Sequence, residues 1–166
     1  MIKNLSPPRL DDVRRWFSYD AETGDLMWKE KRSNRVKVGA EVGCQRPDGY
    51  RVVWFDGSLY RVHRMIWFLV TGEWPEVVDH INGDRADNRI VNLRASSKLL
   101  NAWNSRHHRD GTCKFKGVTK SEGRFQAQIC ADGRKIYLGR YATEAEAHAV
   151  YCEASARYHG EHGRTE

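Results

Sequence analysis

Short alternating runs broken by a residue-plus-glycine pair constrain this chain more than any other feature. From Gly49 to His63, GYRVVWFDGSLYRVH holds two such runs on either side of Asp56-Gly57-Ser58, a pattern that predicts a tight hairpin. Between Phe115 and Tyr141, FKGVTK, GRFQAQIC and RKIYLGRY are separated by Ser121-Glu122-Gly123 and Ala131-Asp132-Gly133, which predicts a three-stranded antiparallel meander. Thr143 then caps a predicted helix, TEAEAHAVYCEASARYHG, which Gly160 ends. Its small residues Ala145, Ala149, Cys152 and Ala156 are expected to let it lie close to the sheet.

The N-terminal half mixes helix and strand signals. PRLDDVRRWF spaces Leu10, Val13, Trp16 and Phe17 as a helix does, and YDAETGDLMWKE reads as a short hairpin around Thr23-Gly24-Asp25. HRMIWFLVTG is a buried helix closed by Gly72 and Pro75. SSKLLNAWN is a further helix, with Leu99 and Trp103 expected on its buried face and Asn101 on its polar face. The polar, basic and aperiodic SRHHRDGTCK, Ser105 to Lys114, is the predicted linker. The expected organisation is therefore α+β, with a domain over 1–104, a linker over 105–114 and a sheet–helix domain over 115–166.

The 166 residues carry a formal net charge of +6, which suits a polyanionic partner. Lys and Arg outnumber Asp and Glu nine to three between Ser105 and Thr143, whereas Glu144–Glu166 reverses this at two to five. That split suggests one face presented to phosphate and another to solvent. The four cysteines lie far apart with no Cys-x-x-Cys pair, which argues against a zinc ribbon or a disulfide framework. With no signal-peptide core and no run of membrane-spanning length, the expectation is a soluble cytoplasmic protein of a bacterial or phage-infected cell.

The chemistry concentrates in VVDHINGDRADNRIVNLR, Val77 to Arg94. Hydrolysis of a phosphodiester needs an activated water, neutralised phosphate charge and help for the leaving oxygen. A hard divalent cation on oxygen ligands serves the last two, and a neutral imidazole serves the first. Asp79 offers the carboxylate and His80 the imidazole. Strand alternation sends neighbours to opposite faces, so both can serve one site only where the strand ends, and Ile81-Asn82-Gly83-Asp84 predicts that ending. Arg85, Arg89 and Arg94 either grip phosphates or are solvated. His63, on the apolar helix, is expected to be a satisfied core or groove histidine rather than a catalyst.

Asp79-His80, Asn92 twelve residues on and Asn101 nine further, in strand–loop–strand–helix order, resemble the HNH endonuclease motif. The likeness is nearest to the Asp-His form of phage homing endonucleases; it extends through YRVHRMIWFLVTGEWP and covers about Leu10 to Asn104. It implies a ββα-metal nuclease domain in which His80 is the general base. Asp79 and Asn101 would hold one Mg²⁺ or Mn²⁺, and Asn92 would tie the loop so that His80 is oriented. Many HNH enzymes have a final histidine where this chain has Asn101; an amide oxygen there favours Mg²⁺ over zinc, with Asn104 as the alternative amide.

In GRFQAQIC, Phe125, Ala127 and Ile129 share one face, and Arg124, Gln126, Gln128 and Cys130 the other. A ribbon with basic and glutamine side chains fits a DNA major groove. Gly117-Val118, Tyr137-Leu138-Gly139 and YATEAEAHAVY make Phe115–Gly160 similar to the AP2 DNA-binding domain. That resemblance implies DNA contact by Lys116, Gln126, Gln128, Lys135 and Tyr137; Lys120, Arg124 and Arg134 flank them as basic candidates. Thr119, Cys130 and Tyr137 stand where plant AP2 domains use arginine and tryptophan.

The two halves together imply a homing-type endonuclease that cuts double-stranded DNA at a site chosen by the sheet. One ion and one base serve one strand at a time, so a monomer is expected to nick, and cutting both strands would need a homodimer or a second visit. Two other readings stay open: a DNA-binding regulator with an inactive HNH core, and a nuclease of low specificity.

Overall fold

The computed structural model describes residues 6–34, 36–104 and 113–165. They form small antiparallel sheets and four α-helices, in two units, Met1–Ser97 and Lys98–Glu166.

In the first unit, helix α1 (Leu10–Trp16) has Asp11 and Asp12 in its first turn and Arg14 and Arg15 in its last, each sign matching the helix dipole. The chain passes directly into β1 (Phe17–Tyr19), which pairs with β2 (Leu26–Trp28). Strands β3 (Cys44–Gln45), β4 (Arg51–Phe55) and β5 (Ser58–Arg61) make the second sheet. Its β4–β5 turn is the expected one: Asp56 and Gly57 have φ of 47° and 73°, the twist that two-residue hairpins require. Helix α2 (Val62–Thr71) follows and ends at Gly72, whose N–H donates to Phe68 O. Met65, Ile66 and Val62 of α2 bury fully with Val13, Phe17 and Leu26, so one apolar core joins the helices to both sheets. Strands β6 (Val77–His80) and β7 (Leu93–Ser96) pair with Asp79 opposite Arg94 and His80 opposite Leu93. Val78 and Leu93 anchor that pair in the same core.

The second unit begins with α3 (Lys98–Trp103), which groups here rather than with Met1–Ser97. Its end is held from within this unit: Arg164 N–H donates to Trp103 O, and the Trp103 and His159 rings stack at 4.3 Å. The expected burial of α3 does not hold: Leu99 is 46% exposed and Asn101 is half-buried, because the stack with His159 orients the helix through Trp103. Residues 105–112 of the expected linker lie outside the described residues.

Strands β8 (Val118–Ser121), β9 (Arg124–Ala131) and β10 (Arg134–Tyr141) form the meander in the order β10-β9-β8. Helix α4 (Glu144–His159) starts at a complete capping box, with Thr143 Oγ1 accepting from Glu146 N–H and Glu146 Oε2 accepting from Thr143 N–H. The helix face that meets the sheet differs from the expected small-residue stripe. Ala145, Ala149 and Ala156 are exposed, and the buried face is Ala147, Tyr151, Ala154, Ser155 and His159. One large ring, Tyr151, packs with Ile129 and Ala154, with Ile136 and Leu138 against them. Residue size alone therefore points to the wrong side of α4.

Candidate active site and sheet surface

Strand β6 ends at His80, and the loop after it is stitched by its own side chains. Asp84 N–H donates to Asn82 Oδ1, Asn82 Nδ2 donates to Asp87 Oδ2 at 3.0 Å, and Gly83 N–H donates to His80 O. Asn92 spans this loop from the far side. Its Oδ1 accepts from Asn82 N–H at 3.0 Å, its Nδ2 donates to Asp87 O at 2.8 Å, and its carbonyl accepts from Ile81 N–H. Those are the contacts a loop-tying residue would make. Removing the amide in Asn92→Ala deprives Asn82 and Asp87 of partners, with an expected loss of about 1–3 kcal/mol, read as a shift in urea midpoint.

His80 is 3% exposed, and its Nε2–H donates to Asn88 Oδ1 at 3.0 Å. A donating Nε2 leaves Nδ1 as the ring nitrogen with the lone pair. Burial lowers the His80 pKa from its ordinary value against the opposing pull of Asn88 and of Asp79, so the neutral, basic form prevails at neutral pH.

Asn88 carries no signal in the sequence that would single it out. It is buried, and the chain beside it is placed by the first hairpin, where a Cβ on Gly24 would lie 2.7 Å from Arg89 N and 2.9 Å from Asn88 C. Gly24, at φ 84°, allows that approach. Tyr19 of the same hairpin accepts from Ile90 N–H at 2.8 Å. The turn at Thr23-Gly24-Asp25 was legible, but its long-range target was not.

His63 does more than fill the core. Its ring lies 4.7 Å from that of His80, edge to face, and Tyr50 lies 5.3 Å from His63 and 6.0 Å from His80. Burial, then the neighbouring His80, lowers the His63 pKa well below its ordinary value.

Asp79, 7% exposed, receives Arg94 on Oδ2, from Nη2 at 3.1 Å and Nε at 3.3 Å. Arg94 therefore engages the carboxylate directly across the strand pair. Arg89 is likewise engaged, with Nε and Nη2 on the two Asp87 oxygens at 2.8 and 2.7 Å. That fork holds the Asp87 carboxyl down to about 2. Arg85 is exposed and donates from Nη1 to Asp48 O.

The donor chemistry at Asp79 fits a hard cation, because a buried carboxylate beside a neutral imidazole offers oxygen for the ion and keeps nitrogen for proton transfer. Among the described residues, no group of three His, Cys, Asp or Glu could hold a metal. An ion there must draw on amide, phosphate and water oxygens, and must compete with Arg94 for Asp79. Asn101 stands on α3, in the second unit.

On the meander, register decides which side chains share a face. Thr119 pairs with Gln126, Tyr137 with Gln128 and Lys135 with Cys130, so these residues lie on the open face, with Arg124 at its edge. Tyr137 is 61% exposed. Lys120 pairs with Phe125 and Arg134 with Ala131, which puts both on the helix-bearing face instead. The Lys120 ammonium lies 5.9 Å from the Phe125 ring.

Lys116 is also withdrawn from the open surface. It is half-buried, donates from Nζ to Trp103 O at 2.6 Å, and burial followed by the nearby Arg164 lowers its pKa to about 8. Arg140, by contrast, pairs with Gln126 and so joins the open face, reaching Ser121 O and Glu122. Simple alternation puts Arg140 on the opposite face from Tyr137. The register shift between Tyr137 and Gly139 reverses that parity, and the glycine within a strand run was its signal.

Residues 60–102 match the HNH endonuclease family model. The chain is also similar to Protein 3.8 of Escherichia phage T7, with 28% identity over 79 residues, or 45% of this chain. That match spans 65% of the phage protein's length. No solved structure matches the chain. The family match supports a nuclease, and HNH nucleases generally use a divalent metal and act on DNA. No helix among the described residues is long and apolar enough to cross a membrane.

Proposed function

We propose that the chain is a metal-dependent DNA endonuclease of the HNH type, homing in character, which nicks at a site read by an AP2-like sheet. The observation that carries this reading is the buried Asp79-His80 pair at the end of β6, inside the matched region, with His80 held neutral by its burial and aimed by Asn88. In the reaction, His80 takes a proton from water at Nδ1 while Asn88 fixes the ring through Nε2. Asn92 keeps the loop from Ile81 to Asn92 closed, so the base does not drift from the strand end. Asp79 and Asn101 would hold Mg²⁺ or Mn²⁺, which when bound neutralises phosphate charge and assists the leaving oxygen. On the sheet, Gln126, Gln128, Lys135, Tyr137 and Arg124 would meet bases and phosphates; cutting both strands would take a second copy or a second visit.

A second reading has its own observation. Arg94 on Asp79 supplies the positive charge that a metal would otherwise bring, as expected of a DNA-binding protein with an inactive core. A supercoiled plasmid carrying phage or host DNA separates the two. Conversion to open circles with Mg²⁺ or Mn²⁺, blocked by EDTA, is expected of the nuclease. Tight binding without cleavage in either metal favours the regulator.

A further inference from the structure

Two guanidinium groups on the ring beside His80 form no ion pair among the described residues. The Arg61 Cζ lies 4.0 Å from the centre of the Tyr50 ring, and the Arg85 Cζ lies 4.8 Å from the same ring. Tyr50 is itself in ring contact with His63 and His80. The nearby arginines are differently placed. Arg89 is forked onto Asp87, Arg94 is on Asp79, and Arg64 donates to the carbonyls of Glu76 and Pro75. Among the described residues, Arg61 and Arg85 make no ion pair, and the buried Arg61 Nε has no hydrogen-bond partner.

The assembly is built, not incidental. Arg46 N–H donates to Tyr50 O, and Tyr50 N–H donates to Asp48 Oδ1, so the backbone of the turn before β4 is closed at Tyr50. Asp48 O then fixes Arg85 through Nη1 at 2.7 Å. Bringing two like charges onto one ring is unfavourable by Coulomb repulsion, and stacking on the aromatic face offsets only part of it. An anion that receives N–H groups from both guanidiniums would reverse the sign of that balance. The planar fork of arginine suits phosphate oxygens in particular.

We propose that Arg61 and Arg85, stacked on Tyr50, form a clamp for a backbone phosphate of the DNA strand presented to His80. The clamp rests on the nuclease reading for its substrate but not for its measurement. It selects Arg61 and Arg85 as the phosphate contacts and releases Arg89 and Arg94 to structural roles within the loop and strand pair.

The test is equilibrium binding of the full chain to a mixed-sequence DNA duplex over a salt series, without metal. A substitution that removes one phosphate-binding charge should make the slope of log K against log salt shallower by about 1. Arg85→Ala and Arg61→Ala are each expected to show that change, and the double variant about twice as much. Arg89→Ala, whose charge is already neutralised by Asp87, should leave the slope unchanged. Arg85 is exposed, so Arg85→Ala reports even if Arg61→Ala folds poorly. Unchanged slopes in Arg85→Ala and in folded Arg61→Ala would overturn the clamp. Because binding is read without cleavage, a shallower slope in the variants of a protein whose wild type cuts no plasmid would refute the nuclease and leave the clamp standing.

Discussion

His80→Ala should lower metal-dependent cleavage by roughly 10²- to 10⁴-fold, the usual contribution of a positioned general base, while DNA affinity stays within a few-fold of wild type. The buried ring donates to Asn88, and its neighbours Tyr50 and His63 are held by other contacts as well. Truncating it therefore removes the base without removing the DNA surface. The pH dependence is the sharper measurement. Burial lowers the His80 pKa below 6.5, more than Asn88 and the nearby carboxylates raise it. A base must be neutral to act, so the acidic limb of the cleavage–pH profile is expected below pH 6.5. Asn88→Ala removes the hydrogen bond that favours the protonated ring and should move that limb further down, together with a lower rate from a misoriented ring. A His80→Ala protein that cuts at the wild-type rate would remove His80 from the chemistry altogether.

The parts of this fold that sequence revealed are those fixed by neighbours in the chain. Asp56-Gly57, Glu122-Gly123 and Asp132-Gly133 all adopt positive φ at both residues, so each hairpin was written in two letters. The end of β6 at His80, the Thr143 cap and the alternation of Phe125, Ala127 and Ile129 were local in the same sense. What sequence did not reveal depends on contacts across many residues. Asn88 looks like any loop asparagine until the hairpin at Gly24 is laid against it. Lys116 reads as a free cation until Trp103 supplies a carbonyl. The faces of Lys120, Arg134 and Arg140 follow from cross-strand register, and one irregularity at Gly139 is enough to reverse parity for the end of the strand.

A large loss of stability should come from Gly117→Ala. The glycine has φ 76°, and an added Cβ would sit 2.0 Å from Cδ2 and 2.3 Å from Cε2 of Tyr151. Such separations are impossible without moving the ring, and the ring is 3% exposed among Ile129, Ala154 and their neighbours. The backbone cannot easily yield either, since Gly117 O accepts from Gln128 N–H at 2.9 Å and so ties this residue to β9. Left-handed strain contributes about 1–2 kcal/mol and overpacking about 1–3 kcal/mol, for an expected loss of about 2–5 kcal/mol. A domain of this size has little stability to spare, so the second unit should unfold far below the wild-type midpoint. Gly133→Ala isolates the strain, because Gly133 has φ 73° but nothing within 4 Å of the added carbon. Gly117→Ala is expected to fall well below Gly133→Ala in thermal unfolding, and Tyr151→Leu in the same chain to narrow the gap. Equal midpoints for the two alanine variants would mean that Tyr151 does not pack against Gly117, and the assignment of Tyr151 to the helix–sheet core would have to be given up.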